Sequence, residues 1–294
     1  MTDTVLVTGG LGRSGRWIVD RLAPEHRVHC VDLDHPGYEV DAGENVAFAA
    51  ADLTDAGETL ALVDRVDPDA VVHWAAIPTP ERHAGPRVFE TNVTATYNVL
   101  SAAGRVGADV VQASSEASYG LAFADEPRLP AELPITVDHP QEPEDPYGLG
   151  KVVAEETAET VVRRDGVAVT SVRPSWIQYP GEYECRPVDD LAAGAGNCWS
   201  YVDARDVADL VAAAVADPPT GHEPVHAAAA DSYLDRPTAD AVREFFGDLP
   251  TDCSLSGRAS ALSTARAREL FDWAPEHGWE TAAEATVASP TLWE

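Results

Sequence analysis

The stretch TVLVTGGLGRSG, residues 4–15, decides the fold of this chain of 294 residues. Its first five residues are β-branched or apolar and predict a short strand over 4–8. Glycines at 9, 10, 12 and 15 follow, and the periodic pattern at 16–22 predicts a helix. A strand that turns through glycines into a helix brings backbone N–H groups to the positive end of that helix, where a pyrophosphate can bind.

The same alternation continues along the chain. Further strands are predicted at 26–31, 45–49, 70–73, 109–112, 167–172 and 224–229. Helices are predicted after Thr54 as the cap residue, and at 88–103, 147–164, 203–215, 238–246 and 264–271, with a loop over 121–146. Strands and helices that alternate at this spacing predict an α/β fold, a Rossmann-like doubly wound parallel sheet covered on both faces.

Composition excludes several classes of function. The chain has 50 acidic and 20 basic residues, a formal net charge of −30, so we expect no binding to nucleic acid or to anionic membranes. Lys151 is its one lysine, and this acidic, lysine-poor composition suggests a halophilic source. The start lacks a basic signal-peptide region, and no apolar run approaches the roughly 20 residues of a membrane span, so we expect a cytoplasmic protein.

The cysteines and histidines give no metal-site pattern. The four cysteines are scattered without a C-x-x-C pair, and the histidines lack metal-like spacing with carboxylates. We therefore expect reduced thiols and no metal.

A carboxylate at the end of the second predicted strand indicates which dinucleotide binds. Asp32 stands where it would accept hydrogen bonds from the adenosine ribose hydroxyls, and it would repel a 2′-phosphate. The sequence therefore favours NAD over NADP. Asp52 and Leu53, after the third strand, are expected to hold the adenine edge.

Tyr147 and Lys151 are four residues apart, so a helix places both on one face. A phenol with a pKa near 10 is a poor base, and a nearby cation favours its phenolate form. Lys151 and a positively charged nicotinamide ring are two sources of that cation. Tyr147 would then take the proton of a substrate hydroxyl while hydride leaves the same carbon, and Ser115, after the fifth strand, would hold the substrate oxygen.

Taken together, these motifs resemble the extended short-chain dehydrogenase/reductase superfamily, the NAD-dependent epimerase/dehydratase family, from residue 4 to about 280. The resemblance rests on TGGLGRSG at 8–15, Asp32, Asp52-Leu53, His73-Trp74-Ala75-Ala76, Asn92, Ser114-Ser115, Tyr119-Gly120, Tyr147 to Lys151, Arg173-Pro174 and Tyr201-Val202-Asp203. It implies an NAD-binding Rossmann domain over 1–174 and a smaller substrate-binding domain mainly over 175–294, in which 200–230 partly returns to the Rossmann core.

The resemblance also implies the site residues and the partners. The catalytic set is Ser115, Tyr147 and Lys151. The cofactor site is Gly9, Gly12, Arg13, Ser14, Gly15, Asp32, Asp52, Leu53, Ala75, Asn92, Tyr147 and Lys151, with Asn92 as a structural residue near the cofactor. A sugar-type substrate is expected, and a homodimer built on helices at about 85–104 and 146–164.

Two departures from the family concern the substrate. Sugar-nucleotide epimerases have a long segment where this chain has only 175–200, so a compact nucleotide-free sugar fits better, as in the similar uronate and aldose dehydrogenases. Substrate contacts are expected from Ser115, Glu116, Arg173 and Trp176. Arg173 either holds a substrate carboxylate or pairs structurally. The loop at 77–83, expected to bind the alcohol, is unlike that of any family member.

Three functions are compatible with these residues. The first is an NAD-dependent oxidoreductase acting on a hydroxyl of a sugar or sugar derivative. The second is a nucleotide-sugar epimerase similar to UDP-glucose 4-epimerase, and the third is a non-catalytic NAD-binding regulator.

Overall fold

The computed structural model of the chain describes residues 3–37, 43–81, 83–188 and 190–292. Its strands, in chain order, are β1 (Thr4–Thr8), β2 (Arg27–Asp32), β3 (Val46–Ala50), β4 (Ala70–His73), β5 (Asp109–Ala113), β6 (Glu132–Leu133), β7 (Val169–Pro174), β8 (Ile177–Gln178), β9 (Val202–Asp203), β10 (His222–Ala227) and β11 (Asp252–Cys253). Its α-helices are α1 (Gly15–Leu22), α2 (Ala56–Val66), α3 (Gly85–Val106), α4 (Pro146–Asp165), α5 (Ala204–Ala216), α6 (Thr238–Phe246), α7 (Ala265–Phe271) and α8 (Trp279–Ala282). Short 3-10 helices lie at Glu116–Tyr119 and Ala195–Asn197.

Seven of the described strands form one parallel sheet in the order β10-β7-β5-β4-β1-β2-β3. The chain moves outward from β1 to β3 on one side and from β4 to β10 on the other. The direction reverses between β1 and β4, which opens a crevice at the carboxyl ends of these two strands. The predicted Rossmann-like doubly wound sheet is therefore confirmed.

Helices cover both faces of this sheet. On one face α1, α5 and α7 pack with Ile18 and Leu210 against Val7 of β1, and on the other α2, α3 and α4 pack with Val99 against Leu6. Successive side chains of a strand point to opposite faces, so Leu6 and Val7 enter different apolar layers. A strand buried on both faces reads as a continuous apolar run, as residues 5–7 do.

The start of α2 differs by one residue from the prediction. Asp55, and not Thr54, caps the helix, because its carboxylate accepts the Glu58 N–H at 2.9 Å. Thr54 instead donates its hydroxyl to Asp52 at 2.7 Å. The prediction that Thr54 is the cap is wrong, because the carboxylate of the next residue, Asp55, accepts the free Glu58 N–H group of the first helical turn.

A second apolar cluster lies beyond the carboxyl end of β5. It is built around the buried rings of Trp199, Tyr201 and Tyr233, and we call it the C-terminal cluster. Two short parallel pairs, β6 with β11 and β8 with β9, accompany it. The segment predicted as a loop over 121–146 thus contains β6. This strand pairs with β11, which lies more than a hundred residues further along the chain.

The segment after β9 returns to the central sheet. Helix α5 packs on the same face as α1, and β10 adds the edge strand beside β7. None of the helices in the described part of the chain combines the length and apolar composition needed to cross a bilayer.

Candidate active site

The glycine turn between β1 and α1 packs closely against the loop that follows β4. Gly9 has a φ of +68°, in the left-handed region that favours glycine, and a Cβ there would lie 2.7 Å from the Ala75 backbone. A Cβ on Gly15 would overlap the carbonyl oxygen of Gly9, and one on Gly12 would lie 3.0 Å from that oxygen. The turn is therefore a cradle of bare backbone, which a pyrophosphate can approach closely.

Asp32 ends β2 beside this turn. Its Oδ2 accepts a hydrogen bond from the Leu11 N–H at 3.1 Å, and its Oδ1 accepts one from the Leu33 N–H at 2.9 Å. These bonds connect the end of β2 to the glycine turn. They also hold the Asp32 carboxylate in the cleft wall. There it can accept hydrogen bonds from ribose hydroxyls and would repel a 2′-phosphate.

Polar side chains fix the loop after β4. The Thr8 hydroxyl accepts the Trp74 N–H at 3.2 Å, and the Trp74 indole N–H donates to the Ser14 hydroxyl at 3.0 Å. Asn92 of α3 accepts the Ile77 N–H at 2.8 Å and donates to the Ile77 carbonyl at 3.0 Å. Asn92 thus supports the cleft wall through the backbone, as expected of a structural residue.

Arg13 projects from the glycine turn towards a later segment of the chain. Its guanidinium lies 3.9 Å from the centre of the Tyr179 ring and pairs with Glu182 at 2.9 Å and Glu184 at 3.6 Å. The positive charge of Arg13 is therefore already shared by two carboxylates.

The first two turns of α4 present Tyr147 and Lys151 to the cleft. The Asp145 carboxylate accepts the N–H groups of Tyr147 and Gly148, both at 2.8 Å, and so fixes the start of the helix. Tyr147 and Lys151 are 9% and 5% exposed, and the Lys151 ammonium lies 5.4 Å from the centre of the Tyr147 ring. Ser115, which follows β5, lies close enough to the Tyr147 phenol to lower its pKa. The structure thus brings the three predicted catalytic side chains together.

A single cleft of about 1010 Å³ connects the glycine turn with these three side chains. Most of the predicted site residues line it: Gly9, Gly12, Arg13, Ser14, Asp32, Asp52, Leu53, Ala75, Asn92, Ser115, Glu116, Tyr147, Lys151 and Trp176. Gly15 and Arg173 do not. Gly15 supports the turn from behind, and Arg82, in the loop expected to bind the alcohol, lies outside the described residues.

Comparison with models of known protein families shows which family this chain belongs to. A model described as the NAD dependent epimerase/dehydratase family matches residues 5–228. The chain belongs to the NAD dependent epimerase/dehydratase family. It is therefore an enzyme, and the cofactor of its family is NAD. The matched range contains the glycine turn, Asp32, Ser115, Tyr147 and Lys151.

Relatives within the epimerase/dehydratase family have more than one activity. A UDP-glucose 4-epimerase from Lactobacillus helveticus is 31% identical over 173 residues, which cover 58% of this chain and 50% of that protein. An L-arabinose 1-dehydrogenase (NAD(P)(+)) from Haloferax volcanii is 33% identical over 184 residues, which cover 59% of this chain and 66% of that protein. The chain therefore spans between half and two thirds of the length of these relatives.

A solved structure shows the same fold. The crystal structure of a short-chain dehydrogenase/reductase superfamily protein from Agrobacterium tumefaciens with bound NAD matches with a TM-score of 0.72 at 23% identity. The match covers 96% of this chain and 95% of that one.

Burial shifts the pKa values of Tyr147 and Lys151, the two predicted catalytic residues on α4. Desolvation lowers the pKa of Lys151 to about 8, although Glu155 acts in the opposite direction. Burial raises the pKa of Tyr147 to about 12, against the smaller lowering effect of the Ser115 hydroxyl. Lys151 is one of the two cations that the sequence predicts near the phenol. Its ammonium remains 5.4 Å from the ring and donates to the Ala113 carbonyl at 2.6 Å.

Arg173 pairs structurally, which is one of the two roles that the sequence leaves open for it. Its guanidinium donates to Glu155 at 2.6 and 2.9 Å, to the Tyr119 hydroxyl at 2.7 Å and to the Val137 carbonyl at 2.8 Å. The Arg173 side chain is buried and does not line the cleft. The reason is that β7 directs it towards α4, whose Glu155 supplies a buried counter-charge.

Sequence reasoning missed Glu155 and Phe123. Glu155 accepts the Ser114 hydroxyl at 2.5 Å as well as the guanidinium, so it anchors the segment that carries Ser115. Its spacing, four residues after Lys151 on the same helix face, was a signal that could have found it. Phe123 meets the Tyr147 ring edge-on, with centroids 6.0 Å apart, and only the tertiary structure brings this loop residue to the site.

Proposed function

We propose that this chain uses NAD to oxidise a hydroxyl of a sugar or sugar derivative, with Tyr147, Lys151 and Ser115 as its catalytic residues. The observation that carries the proposal is that these three side chains and the glycine turn line one cleft. A phenol, an ammonium and a hydroxyl close together suit the removal of a proton from an alcohol.

The residues of the cleft fit NAD. The turn at Gly9, Gly12 and Gly15 is packed so closely against its own backbone and that of Ala75 that it has no room for a Cβ, and Ser14 and Asp32 line the cleft beside it. We infer that the turn holds the pyrophosphate through its backbone N–H groups and that Asp32 holds the ribose. When bound, NAD supplies the oxidant for the substrate carbon and a positively charged ring.

Residues of the chain itself accept the proton of the substrate hydroxyl. Ser115 holds the substrate oxygen beside Tyr147. The Tyr147 phenol first releases its own proton to solvent, and the Oη of the resulting phenolate then receives the proton of the substrate hydroxyl. Because burial raises the pKa of Tyr147 to about 12, its phenolate binds a proton strongly once it has formed. Lys151, held by the Ala113 carbonyl, keeps a cation beside the phenol as long as the pH stays below its pKa of about 8.

Epimerisation of a nucleotide-linked sugar is the second candidate within this family. It is supported by the 31% identity to a UDP-glucose 4-epimerase. Against it stands the short segment from Ser175 to Ser200, which contains only β8 and one 3-10 helix in its described part. A non-catalytic NAD-binding regulator would not need Tyr147 and Lys151, and both are kept in the cleft.

The test is NADH formation by the purified chain with aldoses, uronates and nucleotide-linked sugars. An oxidoreductase accumulates NADH, whereas an epimerase changes the sugar configuration without doing so. Tyr147→Phe should abolish turnover and keep NAD binding, measured by calorimetry, because only the phenol oxygen is lost. Full activity in that variant would refute the proposed chemistry.

We also propose that the protein is a cytoplasmic homodimer that pairs through α3 and α4. Tyr97 of α3 and Leu149 of α4 are large apolar side chains that are 53% and 46% exposed, as an unpaired dimer surface would be. Light scattering should give twice the 31.3 kDa of one chain, and Tyr97→Glu/Leu149→Glu should give 31.3 kDa. A wild-type mass of one chain would exclude the dimer.

A further inference from the structure

The walls of the cleft near Ser115 and Tyr147 offer hydrogen-bond acceptors and aromatic faces. The residues concerned are Glu116, Phe123, Trp176 and Asn197. We propose, on the basis of the proposed function, that this part of the cleft binds an uncharged sugar through its hydroxyl groups and excludes sugar acids and nucleotide-linked sugars.

Glu116 is the acceptor closest to the catalytic residues. It directly follows Ser115 and lines the cleft together with Ser115 and Tyr147. Its Oε2 accepts the Ser175 hydroxyl at 2.9 Å, so the side chain is held in the cleft wall.

Asn197 adds a second acceptor. Its amide nitrogen donates to the Ser200 carbonyl at 3.1 Å, while its Oδ1 is buried and has no hydrogen-bond partner within the described part of the chain. A buried acceptor without a donor costs free energy until a donor arrives. Sugar hydroxyls are donors, whereas ionised carboxylates and phosphodiesters have only acceptor atoms.

The surroundings of Glu116 also disfavour negative charge. Desolvation raises the pKa of its carboxyl to about 8, even though the Ser175 hydroxyl and the Trp176 N–H act in the opposite direction. A substrate carboxylate or diphosphate placed beside Glu116 would lose its hydration in the same way. Without a counter-ion, that loss is far larger than any hydrogen bond could return.

In the described part of the chain, two arginines close to the cleft already have carboxylate partners. Arg13 is paired with Glu182 and Glu184, and Arg173 is buried against Glu155 outside the cleft. Arg13 and Lys151 are the cations among the cleft-lining residues that the structure describes, a set that omits Arg82. Lys151 is held beside Tyr147 by the Ala113 carbonyl.

Aromatic side chains complete a surface suited to a sugar ring. Trp176 is 38% exposed in the cleft wall, and Phe123 stands edge-on to Tyr147. Apolar ring faces pack against the C–H groups of a sugar while its hydroxyls meet the acceptors. An uncharged sugar offers both C–H groups for the aromatic rings and hydroxyl groups for the polar side chains.

The experiment compares sugars that differ only in charge. The full chain with saturating NAD is given D-galactose against D-galacturonate, D-glucose against D-glucuronate, and UDP-galactose, and NADH formation is followed. The same probes are titrated calorimetrically into Tyr147→Phe with NAD, which reports binding without turnover. We expect kcat/KM for the better aldose to exceed that for its uronate by about 100-fold, and its Kd to be at least tenfold lower.

The outcomes separate this inference from the proposed function. A uronate or UDP-galactose that is oxidised or bound as well as the aldoses would overturn the uncharged-sugar site and leave the oxidoreductase intact. Aldoses that bind Tyr147→Phe selectively, but yield no NADH with the wild-type chain, would support the site and refute the oxidation. Failure of every aldose to bind would overturn the inference.

A pH series tests the part played by Glu116. The ratio of the uronate Kd to the aldose Kd is compared between variants with and without Glu116. Lys151 also loses its charge near pH 8 and contributes equally to the ratio in both variants. The other titratable groups coupled to Glu116 are Tyr119, Tyr147, Cys198 and Tyr233, and burial raises the pKa of each, so none ionises between pH 7 and 9.

We expect this ratio to rise about tenfold from pH 7 to 9 in Tyr147→Phe, as Glu116 gains its charge and repels the uronate. The rise should be clearly smaller when Glu116→Gln is added to Tyr147→Phe, because only the titration of Lys151 then remains. Glu58→Gln, the same change on the exposed surface of α2, serves as the matched control and should keep the rise. An equal rise with Glu116→Gln would remove Glu116 from the substrate site.

Discussion

Replacing Glu155 by glutamine removes one half of the buried ion pair that supports the active-site segment. The carboxylate receives the Arg173 guanidinium through bonds of 2.6 and 2.9 Å, and the two side chains are 7% and 4% exposed. Glu155→Gln keeps the shape and removes the charge, so the guanidinium remains buried without a counter-charge. Breaking a buried pair in this way costs about 3–5 kcal/mol.

The assay is urea unfolding at constant salt, followed by tryptophan fluorescence and far-UV circular dichroism. We expect the free energy of unfolding of Glu155→Gln to fall by about 3–5 kcal/mol with an unchanged m value. Asp64→Asn is the matched control, because its pair with Arg105 is equally short, 2.6 Å, but about half exposed on both sides. An exposed pair contributes at most about 1 kcal/mol.

The reasoning is refuted if Glu155→Gln loses no more stability than Asp64→Asn. A second variant separates the unpaired charge from lost packing. Glu155→Gln/Arg173→Gln removes both charges, so it should be more stable than Glu155→Gln alone. A double variant that is less stable than Glu155→Gln would show that the guanidinium is not left as an unpaired charge.

The same pair gives stability a defined dependence on pH. Burial alone would raise the pKa of Glu155, but Arg173 and Ser114 outweigh burial and hold it below the ordinary 4.5. The stabilisation is therefore complete above the unfolded value and is lost as the pH falls through the lower folded value. Glu155→Gln should lose this part of the acid sensitivity.

Three further predictions concern the cofactor turn, the lysine and the net charge. Gly15→Ala should weaken NAD binding at least about 100-fold in a fluorescence titration, because its Cβ overlaps the Gly9 carbonyl, and normal binding by this variant would argue against the cradle. Gly278→Ala, whose Cβ would meet nothing nearer than 3.8 Å at a negative φ, is the control and should bind normally. Activity should fall as the pH rises through about 8, where Lys151 loses its proton, and a rate that keeps rising to pH 10 would contradict this. Because the net charge is −30, the melting temperature should rise between about 0.1 and 3 M KCl, and full stability without molar salt would count against a halophilic source.

Local sequence determined the sheet and the cofactor turn. Strand and helix periodicities, and glycines that must adopt a left-handed or crowded backbone, depend on neighbouring residues, so residues 4–15 were enough to predict the first strand, turn and helix. Tyr147 and Lys151 were predicted for the same reason, because four residues make one helical turn. Element ends shifted by up to three residues, as at both ends of α3, and at α2 the cap is Asp55 in place of Thr54.

Only the tertiary structure decided what Arg173, Glu116 and the C-terminal cluster do. Whether Arg173 faces a substrate or Glu155 depends on how β7 packs against α4, and no pattern within β7 contains that information. The pKa of Glu116 depends on desolvation by segments that are distant in sequence, and β6 pairs with a strand more than a hundred residues away. Charge and burial in the cleft arise from these long-range contacts, and for that reason the substrate class follows from the folded chain and not from its motifs.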